Sequence, residues 1–384
     1  MQYKSNGILC QSKVTVINMQ SSTLIAMSGG VDSAVAAYLI KTSVGSAAGA
    51  TMKLSDSGAN EAASAAETAR RLGIEHCVFD FSAEFSREVV DRFCSTYLHG
   101  ATPNPCIYCN RKIKFGCFLE RALELGYDKV ATGHYAKIEY DRESGRYILL
   151  RALDRAKDQS YVLSVLNQYQ LSKTLLPLGS MTKPQVRALA AELGLGAAER
   201  PESQDICFIP DHDHARFIRE YTGSIPPRGN FVDTDGNVLG EHSGIINYTI
   251  GQRKGLGVSV GRPIYVCRID AAGNQVVLGG EDSLYEKRLY ANELNFVAIE
   301  SLAGSMRVTA KIRYSHKEVP AVITMASERE LCVEFDSPQR AITRGQTVVL
   351  YSDDAVVASG TICRSGGGGG APPGGGQGEC GRHW

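Results

Sequence analysis

Apolar side chains in the first half of the chain follow two different periodicities. Short apolar runs at 23–27 and 76–81 predict buried strands, because they are too short for helices. Residues 32–40 and 61–73 have helix-favouring compositions, and residues 85–97 carry a large apolar side chain at every fourth position. This alternation of strands and helices predicts an α/β fold with a doubly wound, mostly parallel sheet.

The pattern changes near residue 215. Beyond it, short alternating stretches such as 307–314 are separated by turns rich in Asp, Gly and Asn. We therefore expect an α/β domain over 19–215, followed by two smaller, mainly β domains over 216–283 and 284–364, the last of them a β-barrel.

Both ends of the chain are predicted to lie outside the folded domains. Residues 1–18 precede Met19 and the first predicted strand, and we interpret them as an N-terminal extension. Residues 365–384 form a glycine-rich tail, since ten glycines and two prolines occupy the nineteen positions from 366 onward. Such a segment cannot bury enough apolar surface to fold, so we expect it to be disordered.

Composition and charge narrow the class of protein without indicating a partner. The 41 basic and 41 acidic residues of this 384-residue chain cancel, so a nucleic-acid site would have to be a local basic patch such as 110–114. The eleven cysteines are scattered, and neither a signal peptide nor a membrane-spanning stretch is visible. We expect a cytoplasmic protein with reduced thiols and no membrane partner.

The stretch AMSGGVDSA, residues 26–34, lies between a predicted strand and a predicted helix. Its glycines let the backbone approach a ligand, and we expect the helix amides and the hydroxyls of Ser28 and Ser33 to face a phosphate. It lacks the Lys-Ser/Thr pair of the ordinary P-loop and the glycine spacing of the dinucleotide fingerprint. Asp32 is a candidate ligand for Mg²⁺. The alternative is a plain strand–helix turn with a capping serine.

Two cysteines, Cys106 and Cys109, follow a Pro-Asn-Pro turn and precede a basic helix start. Such a pair can bind a metal, form a disulfide, supply a nucleophile or pack in the core. Because Arg111 and Lys112 follow and a helix begins nearby, we expect the pKa of the Cys109 thiol to be lowered, which favours the reactive thiolate.

A zinc site would need a second pair of ligands at matching spacing. Only Cys207 with His212 and His214 is available, which makes zinc a weak hypothesis. Cys207 alternates with Ile206 and Phe208, so in an extended segment it would face away from the core. The cysteines in apolar strands or helices are expected to be core thiols, namely Cys77, Cys94, Cys117, Cys267 and Cys332.

Several longer motifs resemble those of a known family. SGGVDS resembles the signature of the PP-loop ATP pyrophosphatases, which split ATP between its α and β phosphates. Within that superfamily the chain closely resembles the tRNA-specific 2-thiouridylases, from about residue 23 to residue 362. The other stretches that carry this resemblance are TMKL, TPNPCIYCNRKIKFG, ATGHYAKI, KDQSYVL, SQDICFIP, GEHSGIINYTIGQRKGLG, KIRYSH and TRGQ.

The resemblance implies an activity, cofactors and partners. The activity would be ATP-dependent 2-thiolation of the wobble uridine of tRNA, in which the 2-carbonyl oxygen is adenylated and then replaced by sulfur. ATP and Mg²⁺ would be the cofactors and the tRNAs for Lys, Glu and Gln the substrates. A sulfur-donor protein of a cysteine desulfurase relay would be the partner, and the chain would be a tRNA-uridine 2-sulfurtransferase.

The resemblance also implies roles for individual residues. Asn104, Pro105 and Cys106 would surround the target base. The positions implied to contact ATP are Ala26, Met27, Ser28, Gly29, Gly30, Val31, Asp32, Ser33, Met52 and Gly133. The positions implied to contact tRNA are His134, Lys157, Asp158, Gln159, Arg313, Tyr314 and Gln346. Without the family motifs, several of these would be interpreted as ordinary surface side chains.

The resemblance leaves two alternative mechanisms for sulfur transfer. In the first, Cys207 receives a persulfide and Cys109 attacks it, which forms a disulfide and releases sulfide. The second arises because many family members carry aspartate at position 106, where this chain has cysteine. The three thiols Cys106, Cys109 and Cys207 would then hold a four-iron four-sulfur cluster with one iron open to sulfide.

Two other functions are weighed against this one. A different PP-loop ligase, such as an amidotransferase-type synthetase, is disfavoured by the paired cysteines and the β-rich C-terminal half. A non-catalytic tRNA-binding relative is disfavoured by the intact Ser28, Asp32, Cys109 and Cys207. One stretch departs from the family pattern, since small residues at 47–49 replace the expected branched ones. We therefore expect a less stable second strand at the edge of the adenine pocket.

Overall fold

A computed structural model of the chain describes residues 21–55, 59–195 and 206–365. The predicted N-terminal extension and residues 366–384 of the predicted tail lie outside the described residues. Ser365, predicted as the first residue of the tail, is instead the last residue of a strand. Within the described residues, no helix is long and apolar enough to cross a membrane.

The first domain is built on a five-stranded parallel sheet. Its strands are β1 (Ser22–Ala26), β2 (Ser46–Lys53), β3 (His76–Asp80), β4 (Lys129–Ala131) and, after a hairpin of β5 (Ala136–Asp141) and β6 (Arg146–Arg151), β7 (Thr174–Leu175). The sheet order is β3-β2-β1-β4-β7, with every pairing parallel. Leu24 and Ile25 on β1 belong to two different apolar clusters, so both faces of the sheet are covered and the predicted doubly wound fold is confirmed.

Helices cover the two faces of this sheet. They are α1 (Val31–Ser43), α2 (Ala59–Leu72), α3 (Ser82–Phe85), α4 (Asp91–Leu98), α5 (Pro105–Tyr108), α6 (Phe118–Glu124), α7 (Ser160–Leu163), α8 (Gln168–Ser172) and α9 (Lys183–Glu192). Two π-helical segments, Ser86–Val90 and Cys109–Cys117, join α3 to α4 and α5 to α6. The second of them makes the cysteine motif part of one helical run, and π-helical turns are frequent at functional sites.

The rest of the chain forms the two β units that the sequence predicts. Helix α10 (His214–Thr222) leads into a sheet of order β10-β11-β8-β9, formed by β8 (Gly229–Val232), β9 (Val238–His242), β10 (Tyr265–Asp270) and β11 (Gln275–Gly279). The final strands are β12 (Tyr285–Phe296), β13 (Ser305–Lys311), β14 (Val319–Ser327), β15 (Glu330–Arg340), β16 (Thr347–Ser352) and β17 (Ala355–Ser365). Strand β12 pairs with both β15 and β17, which closes a six-stranded barrel and confirms that part of the prediction.

The barrel and the first domain are joined by strand pairing and an ion pair as well as by the polypeptide chain. The β5–β6 hairpin extends the barrel sheet, since Leu150 on β6 pairs with Ala355 on β17. Arg151 forms an ion pair with Glu318 beside this junction. The first domain therefore contributes an antiparallel hairpin to the C-terminal unit, a connection that the sequence pattern did not predict.

Candidate active site

Helix α2 packs closely against the loop between β1 and α1. Gly29 has a positive φ of +72°, and a Cβ added there would lie 2.7 Å from the carbonyl oxygen of Glu61. Ser64 Oγ donates a hydrogen bond of 3.2 Å to the carbonyl oxygen of Gly29. Glycine is therefore required at this position both for its backbone conformation and for the close approach of α2.

Ser33 is an internal brace of the same loop. Its buried hydroxyl accepts a hydrogen bond from the amide of Ser28 at 3.2 Å and donates one to the carbonyl oxygen of Gly30 at 2.9 Å. The expectation that this hydroxyl faces outward was therefore wrong, because its hydrogen bonds are made within the loop. Ser28, in contrast, is exposed at the loop surface.

Asp32 is held by two residues that lie far from it in the sequence. The Lys183 ammonium lies 2.8 Å from both carboxylate oxygens, and the Tyr135 hydroxyl donates to Oδ1 at 2.7 Å. The Lys183 side chain is only 7% exposed, whereas that of Asp32 is 32% exposed. Both carboxylate oxygens are thus engaged and the charge is neutralised by a lysine, so these contacts do not support the predicted role of Asp32 as a Mg²⁺ ligand.

Two further glycines let neighbouring strands approach the loop. A Cβ on Gly133 would lie 2.8 Å from the carbonyl carbon of Asp32, so the chain after β4 touches the start of α1. A Cβ on Gly49 would lie 2.3 Å from the sulfur of Met27. The small residues of β2 thus make room for Met27 beneath the loop, which gives a packing reason for this departure from the family pattern.

The cysteine motif begins with a capped helix. Asn104 Oδ1 accepts a hydrogen bond from the amide of Cys106 at 3.2 Å, and Pro105 occupies the first turn of α5. Cys106 is exposed, whereas Cys109 is 8% exposed. Cys207 is exposed and lies in a turn, so the extended segment that was considered is not formed, although the side chain does face away from the core.

The structure brings the three thiols into electrostatic range of one another. Burial raises the pKa of Cys109 to about 11, with further increases from Cys207 and Cys106. The pKa of Cys207 is raised chiefly by burial, then by Cys106, and in smaller part by Glu61. The expectation of a lowered pKa for Cys109 was wrong, because burial of the thiol raises it, and the cation that acts on this thiol is Lys114 and not Arg111 or Lys112.

Lys114 is the basic residue whose charge acts on both Cys109 and Cys207. Its charge lowers the pKa values of Cys109 and Cys207, although not enough to offset burial. It lies on the π-helical segment that follows Cys109, two positions beyond the pair that sequence analysis selected. The irregular helical turn was the missing information, since side-chain direction within it does not follow the ordinary helical period.

The segment that precedes the cysteine motif is clamped by the barrel. The amide of Thr102 donates to the carbonyl oxygen of Arg344 at 2.8 Å. Gln346 Nε2 donates to the carbonyl oxygens of Thr102 and Pro103, at 2.9 and 3.2 Å. Gly345 has φ of +86°, and a Cβ there would lie 3.0 Å from the carbonyl oxygen of Thr102. The side chain of Gln346, implied to contact tRNA, thus positions residues 102–109, the thiol segment, in the tRNA-free protein.

Several other residues implied to contact tRNA also form hydrogen bonds within the chain. Asp158 accepts from the amide of Ala152 at 2.9 Å and from the hydroxyl of Ser160 at 2.7 Å. Gln159 Oε1 accepts from the amide of Tyr135 at 2.9 Å. These contacts fix the turn around half-buried Lys157 and connect it to Tyr135, which itself binds Asp32.

The remaining implied tRNA contacts lie close to the thiol segment or to the barrel. His134 shares a 2.7 Å hydrogen bond with Thr132 Oγ1, and burial with a smaller contribution from Lys114 holds its pKa well below the usual value. Arg313 donates to two barrel carbonyl oxygens, of Arg340 and Ala341. Tyr314 is 44% exposed, and its pKa is raised by burial and then by the charges of Asp158 and Cys106, so it lies near the predicted base pocket.

The exposure of the remaining cysteines tests the prediction that they are core thiols. Cys94 is buried, whereas Cys77 is exposed, so the prediction of a core thiol was wrong for Cys77, which lies on the edge strand β3. Half-buried cysteines are Cys117, Cys267, Cys332 and Cys363. In the part of the chain that the structure describes, no three His, Cys, Asp or Glu side chains are placed to hold a metal ion, so neither the weak zinc hypothesis nor the cluster set of Cys106, Cys109 and Cys207 gains support.

Three family models match the chain, one after another. Residues 21–211 match a tRNA methyl transferase HUP domain, residues 215–280 a tRNA methyl transferase PRC-barrel domain, and residues 286–362 an aminomethyltransferase beta-barrel domain. These three ranges follow the parallel-sheet domain, the four-stranded sheet and the six-stranded barrel in order.

Curated relatives match nearly the whole chain. It is 47% identical over 354 residues to the tRNA-specific 2-thiouridylase MnmA of Lachnoclostridium phytofermentans, which covers 89% of this chain and 99% of that protein. It is 48% identical over 356 residues to the tRNA-specific 2-thiouridylase MnmA of Acetivibrio thermocellus, with the same shares of 89% and 99%. For the protein of that name from Clostridioides difficile the values are 47% over 358 residues, with 90% and 99% covered. The chain belongs to the family of the tRNA-specific 2-thiouridylases.

Proposed function

We propose that this protein is a tRNA-uridine 2-sulfurtransferase that uses ATP to adenylate the wobble uridine and then replaces its 2-oxygen with sulfur. The observation that carries the proposal is that the first turn of α2 touches the phosphate loop, residues 26–33, and also acts on Cys207, which in turn interacts with Cys106 and Cys109. The carbonyl oxygen of Glu61 abuts Gly29 of the loop, and the charge of Glu61 acts on Cys207. One helical turn therefore contacts the phosphate loop and influences a thiol.

The first step uses the phosphate loop. The uridine 2-oxygen attacks the α phosphorus of ATP, the bond to the bridging oxygen breaks, and pyrophosphate leaves with the electron pair. An amide-like oxygen is a poor leaving group, and as an adenylate it departs with AMP. The loop amides at the start of α1 and the hydroxyl of Ser28 are the groups that support phosphate binding. Mg²⁺ would be held chiefly by the phosphates, since Asp32 is engaged elsewhere.

The second step uses the thiols. In the persulfide route, the Cys109 thiolate attacks the Cys207 sulfur that carries the persulfide, which forms a Cys109–Cys207 disulfide and releases hydrosulfide. Hydrosulfide then attacks C2 of the adenylated uridine and AMP leaves. A thiol reductant returns the disulfide to two thiols before the next turnover.

The cluster route would need Cys106, Cys109 and Cys207 as ligands of a four-iron four-sulfur cluster. In the described residues these three thiols are not placed to hold a metal ion, so their arrangement does not support the cluster route. Cys106 distinguishes the two routes, because only the cluster needs its thiol. In the persulfide route its position beside Tyr314 instead lines the base pocket.

The raised pKa of Cys109 indicates how the site is held before tRNA binds. With a pKa of about 11, this thiol is protonated at neutral pH and therefore weakly reactive. Lys114 is the residue placed to stabilise its thiolate once the target base and the sulfur donor are present. We propose that the site protects Cys109 from oxidation until then.

The residues implied to bind tRNA surround this site. Lys157, Arg313 and Tyr314 provide charge and an aromatic face for an unstacked base and its neighbouring phosphates. His134, Asp158, Gln159 and Gln346 support the loops from which those groups project. Both kinds of role are compatible with tRNA contact, since the hydrogen bonds described above lie within the free protein.

A direct assay tests the proposal. The purified chain is incubated with ATP, Mg²⁺, a thiol reductant, a sulfide source and unmodified tRNA for Lys, Glu or Gln, and digested tRNA is analysed for 2-thiouridine. We expect 2-thiouridine that depends on ATP. An ATP-dependent product other than 2-thiouridine would favour another PP-loop ligase, and tight tRNA binding without any product would favour a non-catalytic relative.

Iron and sulfide analysis of protein purified without oxygen separates the two sulfur routes. An iron-free protein that forms 2-thiouridine would exclude the cluster. Loss of activity in the Cys106→Asp variant, with activity restored by neither persulfide nor sulfide, would exclude the simple persulfide route.

A further inference from the structure

Lys311, the last residue of strand β13, is a half-buried lysine beside two tyrosine rings. Its ammonium lies 5.7 Å from the ring centroid of Tyr161 and 5.4 Å from that of Tyr314. Tyr161 is fully buried, whereas Tyr314 is exposed at the surface. The ammonium is therefore within cation–π distance of one ring in the core and of one ring that a ligand can reach.

The carboxylates nearest to Lys311 are committed to other groups. Glu318 forms an ion pair with Arg151, and Asp158 accepts a hydrogen bond of 2.7 Å from the hydroxyl of Ser160. Both carboxylates favour the charged form of Lys311 through space. Within the described part of the chain, however, the Lys311 ammonium has neither a hydrogen-bond acceptor nor an ion-pair partner.

This environment is incomplete for a lysine. An ammonium has three donor hydrogens, and removing it from water is unfavourable unless an acceptor replaces the water. Burial accordingly lowers the pKa of Lys311, and the charges of Asp158 and Glu318 do not fully offset that effect. An anion beside the ammonium would supply the missing acceptor and would favour its charged form.

The surroundings of Lys311 indicate which anion is at hand. The pKa of Tyr314 is raised by burial and then by the charges of Asp158 and Cys106, so the ring lies close to the predicted base pocket. Exposed aromatic rings stack on unpaired bases, and cations beside them contact the RNA backbone. The combination of Tyr314 and Lys311 therefore fits one nucleotide of an RNA loop.

The neighbouring arginine is less available for the same task. Arg313 Nη2 donates to the carbonyl oxygens of Arg340 and Ala341, at 3.1 and 2.6 Å. In the tRNA-free protein this guanidinium braces a barrel loop, whereas the Lys311 ammonium has no such contact to give up. Lys311 can therefore turn towards a phosphate without breaking a hydrogen bond within the chain.

We propose that Lys311 binds a backbone phosphate of tRNA beside the unstacked target uridine, while Tyr314 stacks on an unpaired base. The phosphate oxygens accept hydrogen bonds from the ammonium and complete its environment. Lys311 is then a substrate-binding residue, a role that the resemblance gives only to its neighbours Arg313 and Tyr314. This inference rests on the proposed function, because it takes the anticodon loop of tRNA as the substrate.

The salt dependence of tRNA binding tests the assignment. A phosphate contact releases counterions, so its loss lowers the slope of log Kd against log salt concentration by about 0.7 for a single strand. Dissociation constants of unmodified tRNA for Lys are measured at several concentrations of KCl for the wild type, Lys311→Met, Lys311→Arg and Lys287→Met. Lys287 is the matched control, since it is exposed on β12, which lies opposite β13 in the barrel.

We expect Lys311→Met to weaken tRNA binding by about 10-fold at low salt, as for the loss of one charged hydrogen bond, and to lower the slope by about 0.7. Lys311→Arg should keep the wild-type slope, and Lys287→Met should match the wild type throughout. If Lys311 only packs on the tyrosines, Lys311→Met would melt at a lower temperature with an unchanged slope. An unchanged slope would overturn the assignment, whatever the affinity. A wild-type chain that binds tRNA but forms no 2-thiouridine with ATP and sulfide would instead overturn the proposed function.

A protection experiment on the unmodified chain covers the case in which Lys311→Met does not fold. N-hydroxysuccinimidyl acetate transfers its acetyl group to a free lysine amine and releases N-hydroxysuccinimide, and peptide mass spectrometry locates the acetylated lysines. We expect saturating tRNA to slow acetylation of Lys311 several-fold and to leave that of Lys287 unchanged. Equal acetylation of Lys311 with and without tRNA would contradict the proposal.

Discussion

The phosphate loop and the thiol segment are held in place by different domains of the protein. The loop is braced from within the α/β domain, by Ser33 inside it and by Ser64 on α2. The thiol segment is capped by Asn104 but held at its start by a barrel loop, through Gln346 and Arg344. The first arrangement is local to one domain, whereas the second depends on a different domain.

Because of this difference, we expect the two proposed chemical steps to respond differently to changes in the barrel. In the proposed mechanism, ATP activation uses the phosphate loop, whose bracing hydrogen bonds lie within the α/β domain. The start of the thiol segment is hydrogen-bonded to Arg344 and Gln346, and the resemblance implies tRNA contact at Gln346. We infer that tRNA binding at the barrel is transmitted to the cysteines through these hydrogen bonds, and that sulfur transfer responds to it more than ATP activation does.

The largest expected effect separates the two steps completely. With a persulfide-bearing donor as the sulfur source, Cys109→Ala and Cys207→Ala should each lower 2-thiouridine formation by at least about 1,000-fold, because they remove a reacting sulfur. Pyrophosphate release measured with tRNA and ATP should stay within a few-fold of wild type. Cys77→Ala is the matched control, since this thiol is exposed on the edge strand β3, two strands away from β1 in the sheet. Loss of pyrophosphate release in the cysteine variants would show that the steps are not separable.

A smaller effect is expected when the barrel clamp is cut. Gln346→Ala removes two hydrogen bonds, each worth about 1 kcal/mol, and should lower 2-thiouridine formation by about 10-fold. Without tRNA, it should speed alkylation of Cys109 by iodoacetamide and leave ATP affinity unchanged. Gln339→Ala is the control, because its side-chain amide bonds only locally to Ser337. Unchanged alkylation with weaker tRNA binding would assign Gln346 to tRNA contact alone.

The cysteine chemistry also predicts a pH dependence and its sign. Because the pKa of Cys109 is raised to about 11, the thiolate fraction increases about 10-fold per pH unit across pH 7–10. Alkylation of Cys109 in the tRNA-free protein should rise accordingly and show no plateau below pH 9. Lys114→Gln should slow alkylation several-fold at pH 8, since a cation that lowers this pKa is lost. Lys112→Gln, at an exposed lysine 4.0 Å from Glu88, should leave the rate unchanged.

The smallest effect concerns the packing beneath the loop. Gly49→Ala forces Met27 to move, because a Cβ would lie 2.3 Å from its sulfur. We expect a loss of about 1–3 kcal/mol in the free energy of unfolding and weaker ATP binding, with no change in Cys109 alkylation. Gly280→Ala, where a Cβ meets nothing within 4 Å, is the control for chemical denaturation. Equal stability of the two variants would contradict the packing account.

The sequence was sufficient for the fold class because periodicity and turn chemistry act locally. Short apolar runs such as that of β1, alternating with helical stretches, predicted the doubly wound sheet, and short alternating strands predicted the barrel. The β5–β6 hairpin was missed as part of the barrel sheet, since its pairing with β17 joins residues 205 positions apart, at Leu150 and Ala355. Long-range pairing of this kind has no local signal.

The site was predicted in its motifs but not in its supporting contacts. The glycines of the loop and the cysteine motif are read directly from spacing. Lys183 and Lys114 were not, because one arrives from a distant helix and the other is turned by a π-helical segment. The pKa of Cys109 was predicted in the wrong direction, since burial cannot be judged from neighbouring charges in sequence. Electrostatic environment is a property of the packed structure.

The most direct test of the account counts products from a single reaction. The chain is mixed with ATP, tRNA, a reductant and a sulfide source, and pyrophosphate, AMP and 2-thiouridine are measured in the same quenched samples. The account predicts one pyrophosphate and one AMP for each 2-thiouridine, with pyrophosphate appearing first. Formation of ADP and phosphate, or of 2-thiouridine without ATP, would contradict it.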